Sequence, residues 1–245
     1  MLATLPLPIY FLIGGLISIF LPKGFIKSSF VCLVPVIALL VLLNGGWDDG
    51  FKVQFLDLEL NFMRVDKLST VFGIIFCIAA FLGNIFAFHL RESTQPFVAL
   101  IYSGAAIGAV FAGDLVTLFV YWELTAISSV FLIWARKTEG AYHSGMRYLI
   151  IQVLSGVVLL FGVALFYFEK GSISFSKMEL DSLATALIFV AFGIKCAFPF
   201  LHNWLQDSYP SATVTGTVIL SAFTTKLAVY ALARGFPGTE LLIYI

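Results

Sequence analysis

The sequence contains few charged residues. Asp, Glu, Lys and Arg make up 11% of the 245 residues, whereas an average soluble domain has about 25%. Because 60% of the residues are hydrophobic and the mean hydropathy is +1.02, polar surface is too scarce to cover a water-soluble domain of this size. Intrinsic disorder is also excluded, since it requires low hydrophobicity and high charge. We therefore expect lipid to solvate the chain.

The sequence also lacks a surplus of basic charge and has few cysteines. With 14 basic and 14 acidic residues the formal net charge is zero, so nothing suggests a nucleic-acid partner. The three cysteines, Cys32, Cys77 and Cys196, lie in apolar runs without the spacing of metal ligands or of a disulfide framework. We interpret them as small core residues, and we expect no metal site and no cofactor.

Long apolar runs are what the sequence has in abundance. A membrane-spanning helix needs about 20 mostly apolar residues, whereas outer-membrane strands alternate over about 10 residues. The seven or eight runs are continuously apolar, which predicts an all-α, polytopic membrane helix bundle of about eight transmembrane helices. They lie at 5–21, 29–44, 66–90, 95–112, 115–134, 147–168, 182–205 and 214–233.

The connections between the runs carry two weaker signals. Residues 51–62 alternate with a period of two, which predicts a short hairpin outside the bilayer. Basic residues are divided evenly between the two sets of connections, so the positive-inside rule gives a tie. We assign the shorter connections, at 22–28, 91–94 and 135–146, to the cytoplasm, because acidic residues lie mostly in the other set.

Three charged residues lie inside the apolar runs. Glu123, Lys195 and Lys226 are each near the middle of a run, where a charge costs about 2.5–3.5 kcal/mol on insertion scales. One interpretation is a buried ion pair that fixes helix packing, but it leaves one lysine unpaired and a buried pair adds little stability. We favour a path for protons or ions, in which moving the carboxylate switches a lysine between holding and releasing a proton.

The seventh run has further polar features beside Lys195. Pro199 removes a backbone donor and clashes with the carbonyl of Lys195, so the helix should kink or break there. Such a break is tolerated next to a water-filled cavity, and a simple proline kink is the alternative. His202 either passes protons between the cytoplasmic side and Lys195 or serves as an interfacial cap. Thr224 precedes Lys226 and could hydrogen-bond along such a path, although packing is the use we favour.

Three segments resemble one family of membrane subunits. Residues 112–124, which include Tyr-Trp-Glu-Leu, resemble the start of its antiporter-like core, residues 193–210 resemble its broken seventh helix, and residues 221–226 with Tyr230 resemble its eighth. The family comprises the proton-pumping membrane subunits of respiratory complex I and the large subunits of Mrp-type multisubunit cation/proton antiporters. Residues 121–134 are most similar to the Mrp D-type subunit.

The resemblance implies a role for each intramembrane charge. Glu123 matches the glutamate that modulates a lysine, Lys195 matches the lysine at the broken helix, and Lys226 matches the lysine that passes protons along a central polar axis. It also implies a hetero-oligomeric complex with other membrane subunits as partners, protons and Na⁺ or K⁺ as the ions, and a multi-pass protein of a bacterial-type inner membrane.

Members of the family carry two inverted repeats. On that pattern, residues 1–94 hold helices one to three with an extracytoplasmic hairpin. Residues 95–245 hold the first antiporter-like repeat, helices four to eight, and the start of a ninth helix. The second repeat does not occur in this sequence, so we expect either a partner subunit that supplies it or a truncated gene product.

The primary hypothesis is a proton-translocating subunit of a Na⁺ or K⁺/proton antiporter, with a half-channel in which Glu123, Lys195, Lys226 and His202 relay protons. The alternative is the same module in an NADH–quinone oxidoreductase or a membrane-bound hydrogenase. Other subunits would then carry the redox centres, because this chain has no cysteine cluster or dinucleotide motif. We favour a subunit of a transporter and leave open whether it is part of an enzyme complex.

Two further classes of protein are alternatives to a proton-translocating subunit. A retinal-binding photoprotein would need a carboxylate as counter-ion inside the third run, whose only acidic residue, Asp66, is at its very start, and the residue one turn before Lys195 is Ala191. A non-transporting scaffold subunit, in which the three charges only fix packing, remains open.

Overall fold

The computed structural model describes residues 5–45, 51–55, 58–92 and 94–244. Within these ranges the chain is mostly helical, with one two-stranded hairpin and a final 3-10 turn at Glu240–Ile243. The helices and strands are, in chain order, α1 (Leu7–Phe20), α2 (Phe25–Leu43), β1 (Phe51–Phe55), β2 (Leu58–Met63), α3 (Lys67–Phe86), α4 (Thr94–Phe111), α5 (Leu115–Trp134), α6 (Glu139–Lys170), α7 (Leu183–Cys196), α8 (Asn203–Ser208) and α9 (Val214–Gly235).

Six of these helices, α2 to α6 and α9, are long and apolar enough to cross a membrane, and α1 and α7 are shorter apolar helices. α4 is buried along nearly its whole length and packs against α1, α3, α5 and α9. Large apolar side chains are exposed around the bundle, among them Phe20, Ile150 and Phe161. The predicted polytopic helix bundle is therefore confirmed, and the chain is a multi-pass integral membrane protein.

Polar caps set the first residue of several helices. Each cap side chain accepts a hydrogen bond from the backbone N–H three residues further on, which satisfies a donor left free by the helix start. Thr138 caps α6, which begins at Glu139, so the prediction of a loop over 135–146 was wrong from residue 139 onward. Hydropathy marked only the apolar part of this helix, whereas its first turns are polar. The caps are Asp66, Asp114, Thr138, Ser182 and Thr213.

The predicted hairpin is present as the antiparallel pair β1 and β2, and its turn at 56 and 57 lies outside the described residues. β2 is fixed to the connection between α4 and α5. The N–H of Asn61 donates to the Asp114 carboxylate at 2.7 Å, and the N–H of Gly113 donates to the Asn61 carbonyl at 2.9 Å. The hairpin therefore covers one end of the bundle.

The connections gather at two opposite ends of the bundle. At the end with the hairpin, the N–H of Leu115 donates to the Ile173 carbonyl at 2.8 Å. At the other end, Arg136 after α5 donates to the carbonyl oxygens of Pro210 and Ala212, which follow α8. We call this second end the α8 end. The sequence assigns it to the cytoplasm.

Candidate functional site

Lys195 is fully buried in the last turn of α7. Its Nζ donates hydrogen bonds to the Trp122 carbonyl at 3.0 Å and to the Thr125 hydroxyl at 2.9 Å. Nζ also lies 4.4 Å from the centroid of the Trp122 ring, a distance typical of a cation–π contact. All these partners are neutral, and Lys195 forms no ion pair with the residues that the structure describes.

Trp122 forms one wall of this site. The ring is fully buried on α5, and its Nε1 donates to the Ser155 hydroxyl of α6 at 3.1 Å. Ser155 in turn donates to the Ala191 carbonyl of α7 at 2.8 Å. One chain of hydrogen bonds therefore joins α5, α6 and α7 one turn before Lys195. The sequence reasoning gave Trp122 no role, although its position next to Glu123 was the available signal.

Glu123 is partly buried on α5, and its carboxylate lies against Gly156 of α6. A Cβ atom at Gly156 would come within 1.5 Å of Glu123 Oε1. Oε1 is buried and receives no hydrogen bond within the described part of the chain. Lys195 Nζ bonds to the carbonyl of Trp122, the residue next to Glu123, but the two charged side chains do not form an ion pair. The structure therefore brings these two predicted site residues together with a gap between them.

α7 ends at Cys196, directly after Lys195. Ala197 has a left-handed backbone with φ of 63°, and the N–H of Phe198 donates back to the Gly193 carbonyl at 3.0 Å. This is a common helix C-terminal motif, and proline often follows it because proline cannot continue a helix. The helix thus stops before Pro199. That this proline causes the break stays a prediction.

The segment after α7 contacts the site through Trp204 of α8. Its Nε1 donates to the Ile194 carbonyl at 2.9 Å, which also accepts from the Ala197 N–H at 3.2 Å. His202, at the start of α8, is partly exposed, and its ring forms no hydrogen bond with any described residue. Proton transfer by His202 to Lys195 stays a prediction.

Lys226 lies apart from this site. It is exposed on the face of α9 that points away from the bundle, and within the described ranges its Nζ hydrogen-bonds only the Thr225 hydroxyl, at 3.3 Å. Because a charge facing lipid is costly, we expect this face of α9 to meet protein or water.

Thr125 belongs to a set of buried uncharged polar groups on α5 and α6, most of which the sequence reasoning missed. They are fully or almost fully buried although they carry hydroxyl or amide groups. A usable signal was their spacing, since residues four apart lie on one face of a helix. The missed residues are Thr125 and Ser129 on α5 and Tyr148 and Gln152 on α6.

Ion pairs mark both ends of the bundle. At the α8 end, Arg147 donates to both carboxylate oxygens of Asp207 at 2.8 Å. This hydrogen bonding lowers the pKa of Asp207, and the opposing effect of burial is smaller. At the other end, Arg234 donates to both oxygens of Asp66 at 2.7 and 2.8 Å. Burial alone would raise the pKa of Asp66, but Arg234 and the Ser69 N–H outweigh it and lower the pKa to about 2.

The described residues provide no cluster of metal ligands. No three His, Cys, Asp or Glu side chains among them lie close enough together to hold an ion. All three cysteines are free; Cys32 and Cys77 are buried, and Cys196 is partly exposed. The groups that contact Lys195 Nζ are instead the Trp122 carbonyl, the Thr125 hydroxyl and the Trp122 ring, and the carbonyl and hydroxyl solvate the amine.

Residues 112–243 match the model of a protein family described as NADH:quinone oxidoreductase/Mrp antiporter, TM. This region contains α5 to α9. It therefore contains every residue that the sequence predicts for the site.

One curated relative and two solved structures show how far the likeness extends. A Na(+)/H(+) antiporter subunit from Alkalihalophilus pseudofirmus is 28% identical over 200 residues, which are 74% of this chain and 25% of the relative. A chain of the membrane-bound sulfane sulfur reductase, an archaeal respiratory membrane complex, has a TM-score of 0.80 and 24% identity, covering 93% of this chain and 52% of that one. A chain of the Mrp complex from Dietzia sp. DQ12-45-1b has a TM-score of 0.78 and 22% identity, covering 97% and 50%. The chain thus spans a quarter of the curated relative and about half of each structural neighbour.

Proposed function

The chain belongs to the NADH:quinone oxidoreductase/Mrp antiporter transmembrane family, and on that premise we propose that it is a proton-translocating, antiporter-like subunit of a multisubunit monovalent cation/proton antiporter. It supplies a half-channel, and other membrane subunits supply the rest of the transport path. The exchanged ions are protons and Na⁺ or K⁺. The relative named as a Na(+)/H(+) antiporter subunit supports this choice of ions.

The observation that carries the proposal is the buried amine of Lys195 with neutral partners only. A buried ammonium is costly unless a carboxylate offsets its desolvation. The Thr125 hydroxyl can accept a hydrogen bond from the ammonium or donate one to the neutral amine. Lys195 can therefore hold or release a proton while its surroundings stay in place.

Glu123 is the group that shifts this balance. An approaching carboxylate stabilises the ammonium of Lys195, and a withdrawing one favours proton release. The oxygen of Glu123 that lacks a hydrogen bond leaves the side chain free to change position. Lys226 then receives the released proton and passes it to a partner subunit, because its amine faces out of the bundle. His202, on the α8 end, serves proton uptake.

A second candidate function is the same module in a redox-driven complex, either an NADH–quinone oxidoreductase or a membrane-bound hydrogenase. The family description includes NADH:quinone oxidoreductase, and one neighbour in fold belongs to a respiratory complex. The proton-transfer residues would keep their roles, and other subunits would carry the redox chemistry. Ion dependence separates the two candidates, since an antiporter needs Na⁺ or K⁺ and a redox pump needs an electron donor.

Replacing Lys195 by Ala tests the proposed function. We would measure exchange in everted membrane vesicles from the native host, with the complex assembled, as the loss of an imposed pH gradient on adding Na⁺ or K⁺. We expect K195A to lower the initial rate by about 100-fold or more, because a positioned acid–base group contributes about 10²–10⁴-fold. Lys177→Ala, at an exposed lysine in the connection between α6 and α7, is the matched control and should keep the rate.

A native gel of the same membranes shows whether K195A assembles. Normal assembly with unchanged exchange contradicts a transport role for Lys195 and supports a non-transporting scaffold. Wild-type vesicles that acidify with NADH or another electron donor, and do not respond to Na⁺ or K⁺, support the redox-driven complex instead.

A further inference from the structure

Buried hydroxyl groups extend from the α8 end of the bundle toward Lys195. Tyr102 on α4, Tyr148 on α6, Tyr209 after α8 and Thr224 on α9 are all buried. We call these four residues the tyrosine cluster. Tyr102 hydrogen-bonds the Thr224 hydroxyl. The Tyr102 hydroxyl also lies 3.4 Å from the Leu220 carbonyl, to which the Tyr209 hydroxyl donates at 3.1 Å. The rings of Tyr148 and Tyr209 both pack against Trp204. Burying a polar group costs free energy unless it is hydrogen-bonded, so four buried hydroxyl-bearing residues close together indicate a function.

Tyr148 connects the tyrosine cluster to α5. Its hydroxyl shares a hydrogen bond of 2.8 Å with the hydroxyl of Ser129. Ser129 lies about one helical turn from Thr125, which accepts the hydrogen bond from Lys195 Nζ. Only this turn of α5 separates the cluster from the buried amine.

Gln152 of α6 faces this gap. Its neighbours along the helix, Tyr148 and Ser155, bond to residues of α5 on either side of Thr125, so Gln152 lies at the level of Thr125. Gln152 is fully buried, and neither its amide oxygen nor its amide nitrogen has a hydrogen-bond partner among the described residues. Such a group costs about 1–3 kcal/mol if unpartnered, and a buried water with two to four polar neighbours satisfies it.

We propose that the tyrosine cluster, Ser129 and Gln152 form the proton-uptake route to Lys195, with Gln152 holding the water that bridges Ser129 and Thr125. This inference rests on the proposed function, because it supplies protons to the same amine.

The outer end of the route lies beside the Asp207–Arg147 pair. Ser208, next to Tyr209, is fully buried, and its hydroxyl has no partner within the described ranges. The adjacent Asp207 is partly exposed and keeps its negative charge because Arg147 lowers its pKa. In this proposal protons enter at the α8 end, where the Asp207 carboxylate lies next to the first buried hydroxyl.

Each step along the route exchanges one O–H bond for another. A hydroxyl oxygen receives a proton from the preceding donor and gives its own proton to the next acceptor, so no hydroxyl is left charged. The last O–H bond to break is in the Thr125 hydroxyl, which regains a proton from the bridging water. The proton released there forms the new N–H bond that converts the neutral amine of Lys195 to ammonium. Bulk water supplies the proton, and nothing is oxidised or reduced.

Replacing Tyr148 by Phe tests the route. The change removes one hydroxyl and keeps the ring that packs edge-on against Trp204. In the same vesicle assay, we expect Y148F to lower the exchange rate by about tenfold, equivalent to about 1.4 kcal/mol in the barrier. Ser129→Ala and Gln152→Leu should lower it similarly. Tyr142→Phe, at an exposed tyrosine of the same helix, is the matched control and should keep the wild-type rate.

The solvent isotope effect separates proton transfer from packing. If proton uptake limits Y148F, replacing H₂O by D₂O should slow this variant more than it slows the wild type, whereas a packing defect leaves the isotope effect unchanged. Wild-type rates in all three variants, or slow rates without a larger isotope effect, overturn the route. With K195A inactive, that result leaves the proposed function intact. Unchanged exchange in K195A contradicts the proposed function itself.

Discussion

At the scale of single residues, Gly156 determines where the carboxylate of Glu123 can lie. The space that a side chain would fill at this position of α6 is taken by Glu123 Oε1, 1.5 Å from where a Cβ would stand. The carboxylate is at the end of a flexible side chain, so it can move, whereas the helix backbone is fixed by its own hydrogen bonds. A methyl group at residue 156 should therefore displace the carboxylate and leave the helix in place.

We expect Gly156→Ala to change exchange without reducing the amount of assembled protein. Alanine favours a helix over glycine by about 1 kcal/mol, which opposes any loss of stability. The displaced carboxylate no longer adjusts the proton affinity of Lys195, so the rate should fall by about tenfold or more. Exchange in vesicles, divided by the amount of protein on an immunoblot, gives the result.

Two other glycines of α6 provide matched controls for Gly156→Ala. Gly140 has no atom within 4 Å of an added Cβ, so Gly140→Ala should change neither rate nor amount. At Gly162 a Cβ would meet the Ala184 carbonyl and the Ile188 N–H of α7, both at 3.1 Å, so Gly162→Ala should lower the amount of protein. An unchanged rate in Gly156→Ala would show that the position of the Glu123 carboxylate does not control exchange.

The sequence identified the charged residues of the site but not most of their neutral partners. Glu123 and Lys195 were recognisable because charges are rare in apolar runs. Trp122 and Gln152 were not, because uncharged polar residues are common in membrane helices and usually serve packing. Only the register of α5 against α6 and α7 shows that Trp122 contacts Lys195 and that Gln152 lies at the level of Thr125.

At the scale of helices, the end of α7 is determined by backbone conformation as well as by composition. Ala197 adopts a left-handed conformation, which costs a residue other than glycine roughly 1–2 kcal/mol. The bond from Phe198 N–H to the Gly193 carbonyl and the contact of Trp204 with Ile194 offset this cost. Pro199 has no backbone N–H to continue the helix, and its contribution to the break stays a prediction.

Pro199→Ala tests whether the proline causes the break. We expect α7 to extend in this variant, because alanine restores an N–H that can bond to the Lys195 carbonyl. The backbone amides of 197–202 should then exchange with deuterium more slowly, as measured by mass spectrometry in detergent. Pro210→Ala, in the turn after α8, is the control and should leave exchange at 197–202 unchanged.

Unchanged protection in Pro199→Ala would show that Ala197 and its hydrogen bonds end the helix without the proline.

The sequence predicted the positions of helices better than their ends. The runs at 66–90 and 115–134 coincide with α3 and α5 to within a few residues. The start of α6 and the end of α7 depend on Thr138 and on the conformation of Ala197, which hydropathy does not report.

At the scale of the whole molecule, one ion pair joins parts of the chain that are distant in sequence. Arg234 at the end of α9 donates to both oxygens of Asp66, the N-cap of α3. The Tyr230 hydroxyl accepts a further hydrogen bond from Arg234 Nε at 2.6 Å. The pair thus links the predicted segments 1–94 and 95–245, whose division stays a prediction. It should stabilise the contact between them in a pH-dependent way.

We expect Asp66→Asn to destabilise the fold at neutral pH and to have no such effect at pH 2. The pKa of Asp66 is about 2 in the fold and 3.8 ordinarily, so the unfolded chain binds the proton more readily. The contribution to stability is therefore complete above the unfolded pKa and is lost as the pH falls toward 2. At pH 7 it should be about 1 kcal/mol, after allowance for solvent screening at a side chain that is 38% exposed.

Thermal unfolding in detergent, from pH 7 to pH 2, measures the stability difference between Asp66→Asn and the wild type. Asparagine is as good an N-cap as aspartate, so the variant keeps the cap on Ser69 and loses only the charge. Asp181→Asn removes the carboxylate of a half-exposed pair with Lys170, separated by 3.9 Å, and should change little because surface pairs contribute about 0–1 kcal/mol. If the Asp66→Asn difference persisted at pH 2, its origin would be lost packing rather than charge. If it were absent at pH 7, α3 and α9 would be held together by their apolar contacts alone, such as the edge-on packing of Phe76 against Phe223.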